Sequence, residues 1–384
     1  MKVEEPDPLG TEFLTAIYEV NGPEKEARAR AERICLDQTI EADADLLAPS
    51  LHATIVGRLE QVRPLDGGRF EATVRYAGDL VGKECGDLLN LLFGTSSLRS
   101  DVRLLSFTMT KGLLSSWQGP RFGMNGLRQA VGVSNRPLVC AVLKPLGRSP
   151  DELAALATQF VLGGADLIKD DQGLLDHSFC PFSERVPRCA EAIAKASEQR
   201  GRPCLYFAHI SGALDSMRQR ALQAKRFGAT GLLVAPGLTG FDALRALALD
   251  KSLILPIASH PSFLGTYISG RDEGVAPTVA YALLPRLAGA DMTVYPGFGG
   301  DYVMSKEDCA SVAVHCRQAW GPILPAMPAV GGRIDVHRIA ELTTTLSQDA
   351  VFVLGSRIQQ DQRGVVAAVE EFQLVVAQSS NSVK

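Results

Sequence analysis

From residue 136 onward, short apolar runs alternate with amphipathic segments, and this alternation constrains the fold more than any other feature of the chain. Eight apolar runs occur, and each is followed by a segment whose apolar residues recur at helical spacing. The runs span residues 138–145, 165–172, 204–211, 231–237, 254–261, 290–297, 323–332 and 350–357. Strand and helix alternating eight times predict an α/β protein whose parallel strands close into a (β/α)8 TIM barrel.

The first third of the chain has a mixed pattern without this regular alternation. Strands are predicted over residues 11–20, 51–61, 69–76 and 102–108, and helices over 23–35 and 86–93. A turn signal, Asp66-Gly67-Gly68, separates the second and third strands. We therefore predict a smaller N-terminal α+β domain of ferredoxin-like type at residues 1–134 and a barrel domain at residues 135–384.

Composition excludes several classes of partner. The hydrophobic fraction of 46% is that of a globular protein. The net charge of −4 gives no electrostatic reason to expect binding to nucleic acid or to an anionic membrane. The N-terminus is acidic and lacks an apolar signal core, and no run of about 18 apolar residues occurs. The eight cysteines show no Cys-x-x-Cys pair, which is typical of reduced, buried thiols. We expect a cytoplasmic protein.

The second apolar run ends in a charged cluster that a barrel core does not require. In the stretch 163–172, Lys169 is followed at once by Asp170 and Asp171. Because side chains alternate along a strand, Lys169 and Asp171 project to one side and Asp170 to the other. A solvated strand end with an ordinary ion pair is one interpretation. The other is a cleft in which Lys169 and Asp171 hold a divalent metal ion or move protons.

Other strands also end in polar or glycine-rich residues, which favours the second interpretation. The carboxyl ends of barrel strands form the active-site face, so these residues are expected to converge on one rim. They are Lys144, Lys169, Asp171, His209, His260, Tyr295, Gly331-Gly332 and Gly355-Ser356.

Two motifs on these strands resemble those of a known family. The stretch Gly163–Asp171 is similar to the Gly-Gly-x-Asp-x-x-Lys-Asp-Asp signature of the large subunit of ribulose-bisphosphate carboxylase (RuBisCO). Leu143-Lys144-Pro145 with Leu146-Gly147 is similar to the motif on that family's first barrel strand. The chain most closely resembles the non-carboxylating RuBisCO-like proteins of form IV type, over nearly its whole length.

The resemblance implies a metal site. Lys169 would react with carbon dioxide to form a carbamate, which is an oxygen ligand for Mg2+, and Asp171 and Gln172 would be further ligands. Lys144 would handle protons near the substrate carbons, although it is alternatively a phosphate-pairing or salt-bridged lysine. His260 would line the site, although a lone histidine before proline is alternatively a satisfied core residue.

The resemblance also implies a phosphorylated substrate and a second subunit. Gly331 and Gly332 match one phosphate-binding loop of the family, and Gly355 and Ser356 match another, because glycines let backbone N–H groups approach a phosphate. Turn formation is the competing explanation for these glycines. A homodimer is expected, since RuBisCO-type sites borrow residues from the N-terminal domain of a neighbouring subunit.

Several positions depart from the RuBisCO pattern and argue against fixation of carbon dioxide. Gln172 stands where RuBisCO has a glutamate ligand, and the loop over residues 297–302, with Asp301 near its end, lacks the lysine that positions carbon dioxide. The second lysine of the strand-one motif is missing, and Pro261 replaces an arginine beside the site histidine. By the same resemblance, Arg357, directly after Gly355-Ser356, would supply another phosphate contact. Thr95 and Asp37 match, respectively, the asparagine and the glutamate that RuBisCO supplies from the N-terminal domain.

We therefore expect an enzyme that enolises a phosphorylated keto-sugar or sugar acid with metal stabilisation of the enolate. A decarboxylase such as 3-oxo-isoapionate 4-phosphate decarboxylase and an isomerase such as methylthioribulose 1-phosphate isomerase both remain open. The alternative is a non-catalytic RuBisCO-like protein that binds a phosphorylated metabolite or a protein partner. Gln172 and Asp301 motivate that alternative.

Overall fold

The computed structural model describes residues 9–299, 302, 304–334 and 336–381. The chain divides into two compact units. Within the described residues, the first unit comprises those up to Gln118 together with Leu264–Ala280 and Gly321–Ile323. The second comprises Gly119–Phe263, Tyr281–Trp320 and the residues from Leu324 onward. The boundary between residues 134 and 135 stays a prediction.

The first unit is an α+β fold built on a five-stranded sheet. In spatial order its strands are Gly274–Val275, Val102–Met109, Phe13–Asn21, Arg69–Ala77 and Arg58–Pro64. All neighbours are antiparallel except the two-residue strand, which pairs in parallel. The α-helices are Glu24–Asp37, Pro49–Ile55, Cys85–Phe93, Lys111–Leu114 and Gly265–Ile268, and 3-10 turns occur at Ala44–Leu46, Gly78–Leu80 and Thr95–Leu98. The predicted α+β class is confirmed.

The strand prediction over residues 51–61 is wrong in its first half. Residues Pro49–Ile55 form a short helix, and the strand begins only at Arg58. The β-branched residues Thr54, Ile55 and Val56 favoured a strand. Pro49 at the first helical position favours the helix, because proline there is preset for helical φ and lacks only a hydrogen that would be unbonded anyway.

The second unit is a closed parallel barrel of eight strands, as the sequence predicts. The strands are Leu138–Leu143, Leu167–Asp170, Leu205–His209, Gly231–Val234, Ile257–Ser259, Met292–Pro296, Met327–Ile334 and Val351–Leu354. Each lies within one of the eight apolar runs, or extends it by two residues in the case of the seventh. Alternate side chains fill the interior in layers, and Leu127 and Val131 of the helix Gly123–Val131 pack against the same core.

Helices follow the strands around the outside of the barrel. They are Pro150–Leu162, Phe182–Arg200, Leu214–Arg226, Pro236–Thr239, Phe241–Leu249, Leu284–Ala288, Lys306–Arg317, Ile339–Leu346 and Val365–Asn381. A π-helical turn, Val279–Leu283, precedes the sixth of these, and 3-10 turns occur at Val336–Arg338 and Ser356–Gln360. The helix Pro150–Leu162 has a clear start signal, because Ser149 and Glu152 form a reciprocal capping box around Pro150.

A repeated three-residue sequence links the second, fourth and sixth barrel strands to the strands that precede them. A glycine with positive φ, an alanine and a polar residue occur before the second, fourth and sixth strands, ending in Asp166, Thr230 and Asp291. Each polar side chain accepts a hydrogen bond from a backbone N–H in the preceding strand. The donors are Val139 (2.9 Å), Tyr206 (2.7 Å) and Ile257 (2.9 Å), respectively. This end of the barrel is therefore built for stability.

None of the helices in the described part of the chain is long and apolar enough to cross a membrane.

Candidate active site

The inward-facing positions of four barrel strands continue, at the carboxyl end, into charged or ionisable side chains. The core residues Val142, Leu167, Phe207 and Ala258 face the barrel interior. Because side chains alternate, the residues two positions later share that face. These residues are Lys144, Lys169, His209 and His260. Asp171, two positions beyond Lys169, continues the same series. The alternation thus brings Lys144, Lys169, Asp171 and His260 to one mouth of the barrel.

Lys169 lies buried in this mouth. Its side chain is 2% exposed, and Nζ donates a hydrogen bond to the backbone carbonyl of Asp170 at 3.0 Å. Burial lowers the pKa of the Lys169 amine, and repulsion by Lys144 lowers it further, whereas attraction by Asp171 opposes the shift. Among the described residues no ion pair joins Lys169 to Asp171. The ordinary solvated ion pair considered above is therefore not what this strand end forms.

Asp170 points to the other side of the strand and has a structural role. Its fully buried carboxylate accepts hydrogen bonds from the guanidinium of Arg185 (3.3 Å), the hydroxyl of Tyr206 (2.9 Å) and the backbone N–H of His209 (3.0 Å). These three donors tie the second strand to the third strand and to the helix Phe182–Arg200. The network fixes the backbone on which Lys169 and Asp171 are carried.

His260 is held as a neutral imidazole. Its Nδ1 accepts the backbone N–H of Ser262 at 3.2 Å, and the Ser262 hydroxyl lies 2.9 Å from the same atom. An Nδ1 that accepts a hydrogen bond carries no proton, so the hydrogen of the neutral ring is on Nε2. Burial lowers the pKa of His260 well below its ordinary value, and the charge of Lys169 adds to this effect. At neutral pH the ring is a hydrogen-bond donor and not a cation.

His209 is a further ionisable residue of this face, fully buried at the end of the third strand. Its Nε2 lies 2.8 Å from the hydroxyl of Ser211, which itself accepts the backbone N–H of Ala235 at 2.8 Å. These contacts join the end of the third strand to Ala235, which directly follows the fourth strand. Burial, together with the charge of Lys169, lowers the pKa of His209 to about 3. The sequence predicted His209 at this rim from its position near the end of the third apolar run.

Lys144 directly follows the first strand and is half-buried. Its charge lowers the pKa of both Lys169 and His260, which places its amine on the same side as theirs. Its backbone carbonyl accepts a hydrogen bond from the side-chain amide of Gln359 at 2.8 Å. The lysine backbone is therefore tied to the segment after the eighth strand.

The sequence suggested that Gly331 and Gly332 follow the seventh strand. In the structure they lie inside it. Val330 pairs with Phe352 but Ile334 pairs with Leu354, so two extra residues interrupt the pairing with the eighth strand. Gly332 has φ +99°, a conformation that favours glycine, and a Cβ on it would lie 3.0 Å from ring carbons of Tyr302. Backbone groups of this bulge are thus released from the regular sheet pairing with the eighth strand.

Gly355 and Ser356 follow the eighth strand at the start of the 3-10 turn Ser356–Gln360. Among the described residues, neither of their N–H groups donates to the backbone of another loop or turn. Both residues line a pocket of about 590 Å³ beside the C-terminal helix Val365–Asn381. Arg357 also lines this pocket and is exposed.

Other predicted residues have different surroundings. Tyr295 is buried, and its hydroxyl donates to the carbonyl of Cys309 in the helix outside the barrel, so Tyr295 does not belong to the rim. In the first unit, Asp37 forms ion pairs with Arg33 (2.6 Å) and Arg99 (3.7 Å).

Thr95 also lies in the first unit, where its hydroxyl donates to the Glu41 carboxylate at 3.1 Å. Asp301, which motivated the non-catalytic alternative, lies outside the described residues.

The residues of the mouth fit a magnesium ion only if Lys169 is carboxylated. In the described chain no three His, Cys, Asp or Glu side chains lie together as a metal site. Asp171 supplies one carboxylate, and Gln172, in the exposed turn that follows, supplies an amide oxygen. A carbamate on Lys169 would add an anionic oxygen of the kind that Mg2+ prefers. The lowered pKa of the Lys169 amine favours the neutral form that reacts with carbon dioxide.

Comparisons with known proteins agree with this fold. Residues 123–374 match the family model of the ribulose bisphosphate carboxylase large chain, catalytic domain. A ribulose bisphosphate carboxylase-like protein 1 from Rhodopseudomonas palustris is 34% identical over 91% of this chain and 93% of that protein. A 5-methylthioribulose-1-phosphate isomerase from Rhodospirillum rubrum is 32% identical over 91% and 92%. A crystal structure of a Rubisco-like protein from Rhodopseudomonas palustris superimposes with a TM-score of 0.86 at 32% identity, covering 97% of this chain and 98% of that one.

The closed eight-stranded barrel, with ionisable side chains at the carboxyl ends of its strands, defines an α/β-barrel of the type that carries active sites. Similarity in sequence and in structure to known proteins then identifies the family within this class of barrel. The chain belongs to the RuBisCO large-chain family and, within it, to the non-carboxylating RuBisCO-like proteins of form IV type.

Proposed function

We propose that this protein is an enzyme that forms an enolate from a phosphorylated keto-sugar or sugar acid. The observation that carries the proposal is the environment of Lys169, a buried amine with a lowered pKa and no ion-pair partner among the described residues. Asp171, Lys144 and His260 share its side of the barrel. A core lysine without a chemical role is rarely left buried and unpaired.

The residues around Lys169 divide the work of enolisation. Lys144 takes the proton from the carbon next to the carbonyl, the C–H electron pair becomes a C=C bond, and the carbonyl electron pair moves to oxygen. The Nε2–H of His260 donates a hydrogen bond toward the oxygen that gains charge. In a decarboxylation the broken bond is C–C, carbon dioxide leaves, and the same oxygen receives the charge.

Lys169 as a carbamate, with Asp171 and Gln172, would hold Mg2+. When bound, this ion supplies positive charge next to the substrate oxygens. Gln172 in place of a glutamate removes one negative charge from the ligand set, so the ion binds more weakly than in a site with three anionic ligands.

The phosphate of the substrate binds to backbone N–H groups of Gly331, Gly332, Gly355 and Ser356. The bulge in the seventh strand and the N–H groups of Gly355 and Ser356 support this assignment. Arg357, an exposed residue of the turn that begins at Ser356, contributes positive charge.

The reaction is a decarboxylation, as in 3-oxo-isoapionate 4-phosphate decarboxylase, or an isomerisation, as in methylthioribulose 1-phosphate isomerase. The named isomerase among the relatives supports the second. Fixation of carbon dioxide is not expected, because residues 297–302 contain no lysine. We further propose a cytoplasmic homodimer that binds neither nucleic acid nor membrane.

A second candidate function is non-catalytic binding of a phosphorylated metabolite or a protein partner. Gln172 favours this reading, because it weakens the metal site. Titration with Mg2+ and bicarbonate, together with mass detection of a carbamate on Lys169, separates the two functions. Absence of both metal binding and modification would support the binding protein.

The enzymatic proposal is tested with Lys169→Ala. A panel of phosphorylated ketoses and keto-acids in heavy water is followed by NMR for solvent deuterium entering the substrate. We expect the variant to lose at least about a hundredfold in exchange rate, because the amine on which the site is built is gone.

Lys195→Ala is the matched control. Lys195 is exposed on the helix Phe182–Arg200 and pairs with Glu191 at 2.6 Å, so its removal should leave exchange unchanged. Unimpaired exchange in a folded Lys169→Ala variant would remove Lys169 from the mechanism.

A further inference from the structure

The segment that carries Lys144 is held at both of its ends by one side chain. This segment runs from Lys144, after the first barrel strand, to Arg148, just before the helix Pro150–Leu162. Its middle residues 145–147 are exposed. The carboxamide of Gln359 donates from Nε2 to the Lys144 carbonyl at 2.8 Å and accepts at Oε1 from the Arg148 guanidinium at 3.0 Å.

The two contacts fix the orientation of the Gln359 amide. A carbonyl oxygen can only accept and a guanidinium can only donate, so the amide nitrogen must face Lys144 and the amide oxygen must face Arg148. The flipped amide would place acceptor against acceptor and donor against donor. Neither a carboxylate nor an apolar side chain can make both contacts.

Gln359 belongs to the 3-10 turn Ser356–Gln360, which begins directly after Gly355. The eighth strand, which leads into this turn, pairs with the first strand, which leads into Lys144. The amide therefore bridges the loops that follow two neighbouring strands. One of these loops carries the proposed base, and the other carries part of the proposed phosphate site.

We propose that Gln359 is a positioning residue that holds the backbone of Lys144 in register with the Gly355–Ser356 turn. A phosphate seated on the turn and the amine of Lys144 then act on the same substrate at a fixed separation. This inference rests on the proposed function. It assigns Gln359 an effect on the chemical step and none on uniform substrate binding.

The test compares the wild type with three variants. It measures kcat and KM for deuterium exchange from heavy water into the phosphorylated ketose or keto-acid of the panel above that the wild type exchanges fastest. Gln359→Glu keeps an acceptor for Arg148 but places a carboxylate oxygen against the Lys144 carbonyl. Gln359→Met removes both contacts at similar volume. Gln362→Glu, an exposed residue just after this turn, is the matched control for the added charge. We expect kcat to fall roughly 10- to 100-fold in both Gln359 variants, with KM within about threefold of the wild type and Gln362→Glu unchanged.

The remaining outcomes each overturn the inference in a recognisable way. Unchanged kcat in either folded Gln359 variant shows that the amide does not position Lys144. A rise in KM with unchanged kcat makes Gln359 a binding residue instead. An inactive wild type removes the proposed function, and this inference with it, whereas an active wild type with unimpaired variants removes this inference alone.

Discussion

At the scale of single residues, three consecutive side chains on the second barrel strand have three different environments. Lys169 is buried in the barrel mouth, Asp170 is buried outside it in a hydrogen-bond network, and Asp171 is partly exposed beyond the strand end. The strand period alone assigned their sides correctly. It did not reveal that the Arg185 guanidinium neutralises the Asp170 carboxylate or that the Tyr206 hydroxyl donates a hydrogen bond to it.

The buried His209 should make stability depend on pH. The imidazole has a pKa of about 3 in the folded protein against 6.5 when unperturbed, so protons bind preferentially to the unfolded chain. The contribution of His209 is therefore complete above pH 6.5 and declines as the pH falls toward about 3. Between pH 6.5 and about 5 the free energy of unfolding should drop by about 2 kcal/mol on account of this residue.

Urea denaturation of the wild type and of His209→Gln at both pH values checks this prediction. The variant should lose about 2 kcal/mol less than the wild type over the same interval, because glutamine does not titrate. His260, whose pKa is lowered as well, is present in both proteins. Because the His209 ring is almost uncharged between pH 6.5 and about 5, its removal changes the His260 contribution little over this interval. Identical pH dependence in the two proteins would show that His209 is not buried as a neutral ring.

At the scale of elements, the start of a barrel strand is secured by the polar residue that precedes it. Asp166 accepts from Val139 N–H and forms a buried ion pair with Arg136 at 2.7 Å, whereas Thr230 supplies only a hydroxyl to Tyr206 N–H. The repeat is visible in the sequence as Gly-Ala-Asp or Gly-Ala-Thr. Its hydrogen bonds could not be predicted from the sequence, because their donors lie on another strand.

Asp166→Ala should therefore destabilise the protein far more than Thr230→Val. Removing Asp166 leaves the largely buried Arg136 cation unpaired, at a cost of about 3–5 kcal/mol. Thr230→Val removes one neutral hydrogen bond and leaves the buried N–H of Tyr206 without it, at a cost of about 1–2 kcal/mol. Midpoints of chemical denaturation measure both. Equal losses would mean that the ion pair adds nothing to the backbone contact.

At the scale of the whole molecule, we predict a homodimer. Exposed apolar side chains on the first unit, including Leu46 (76% exposed) and Leu98 (87%), are surface that a second subunit can cover. Light scattering at micromolar concentration should give a mass twice the 41.1 kDa of one chain. A monomer under these conditions would rule out a site completed by a neighbouring subunit.

Most of the barrel architecture could be predicted from the sequence. All eight apolar runs contain barrel strands, because a strand buried on both faces must be continuously apolar and must end where the chain returns to solvent. Helices also follow the barrel strands, as the alternation predicts. In the first unit the prediction of a strand over residues 51–61 fails at the helix Pro49–Ile55, since local preference is weak in short segments.

The sequence by itself determined the barrel, the family and the opposite sides taken by Lys169 and Asp170, because these follow from periods of two and 3.6 residues and from contiguous motifs. Tertiary structure alone decided the electrostatic surroundings of the buried ionisable groups. Desolvation and neighbouring cations, which no linear pattern records, lower the pKa values of Lys169, His209 and His260. It also decided that Tyr295 faces outward and that Gln359 holds Lys144, since both depend on contacts between residues far apart in the chain.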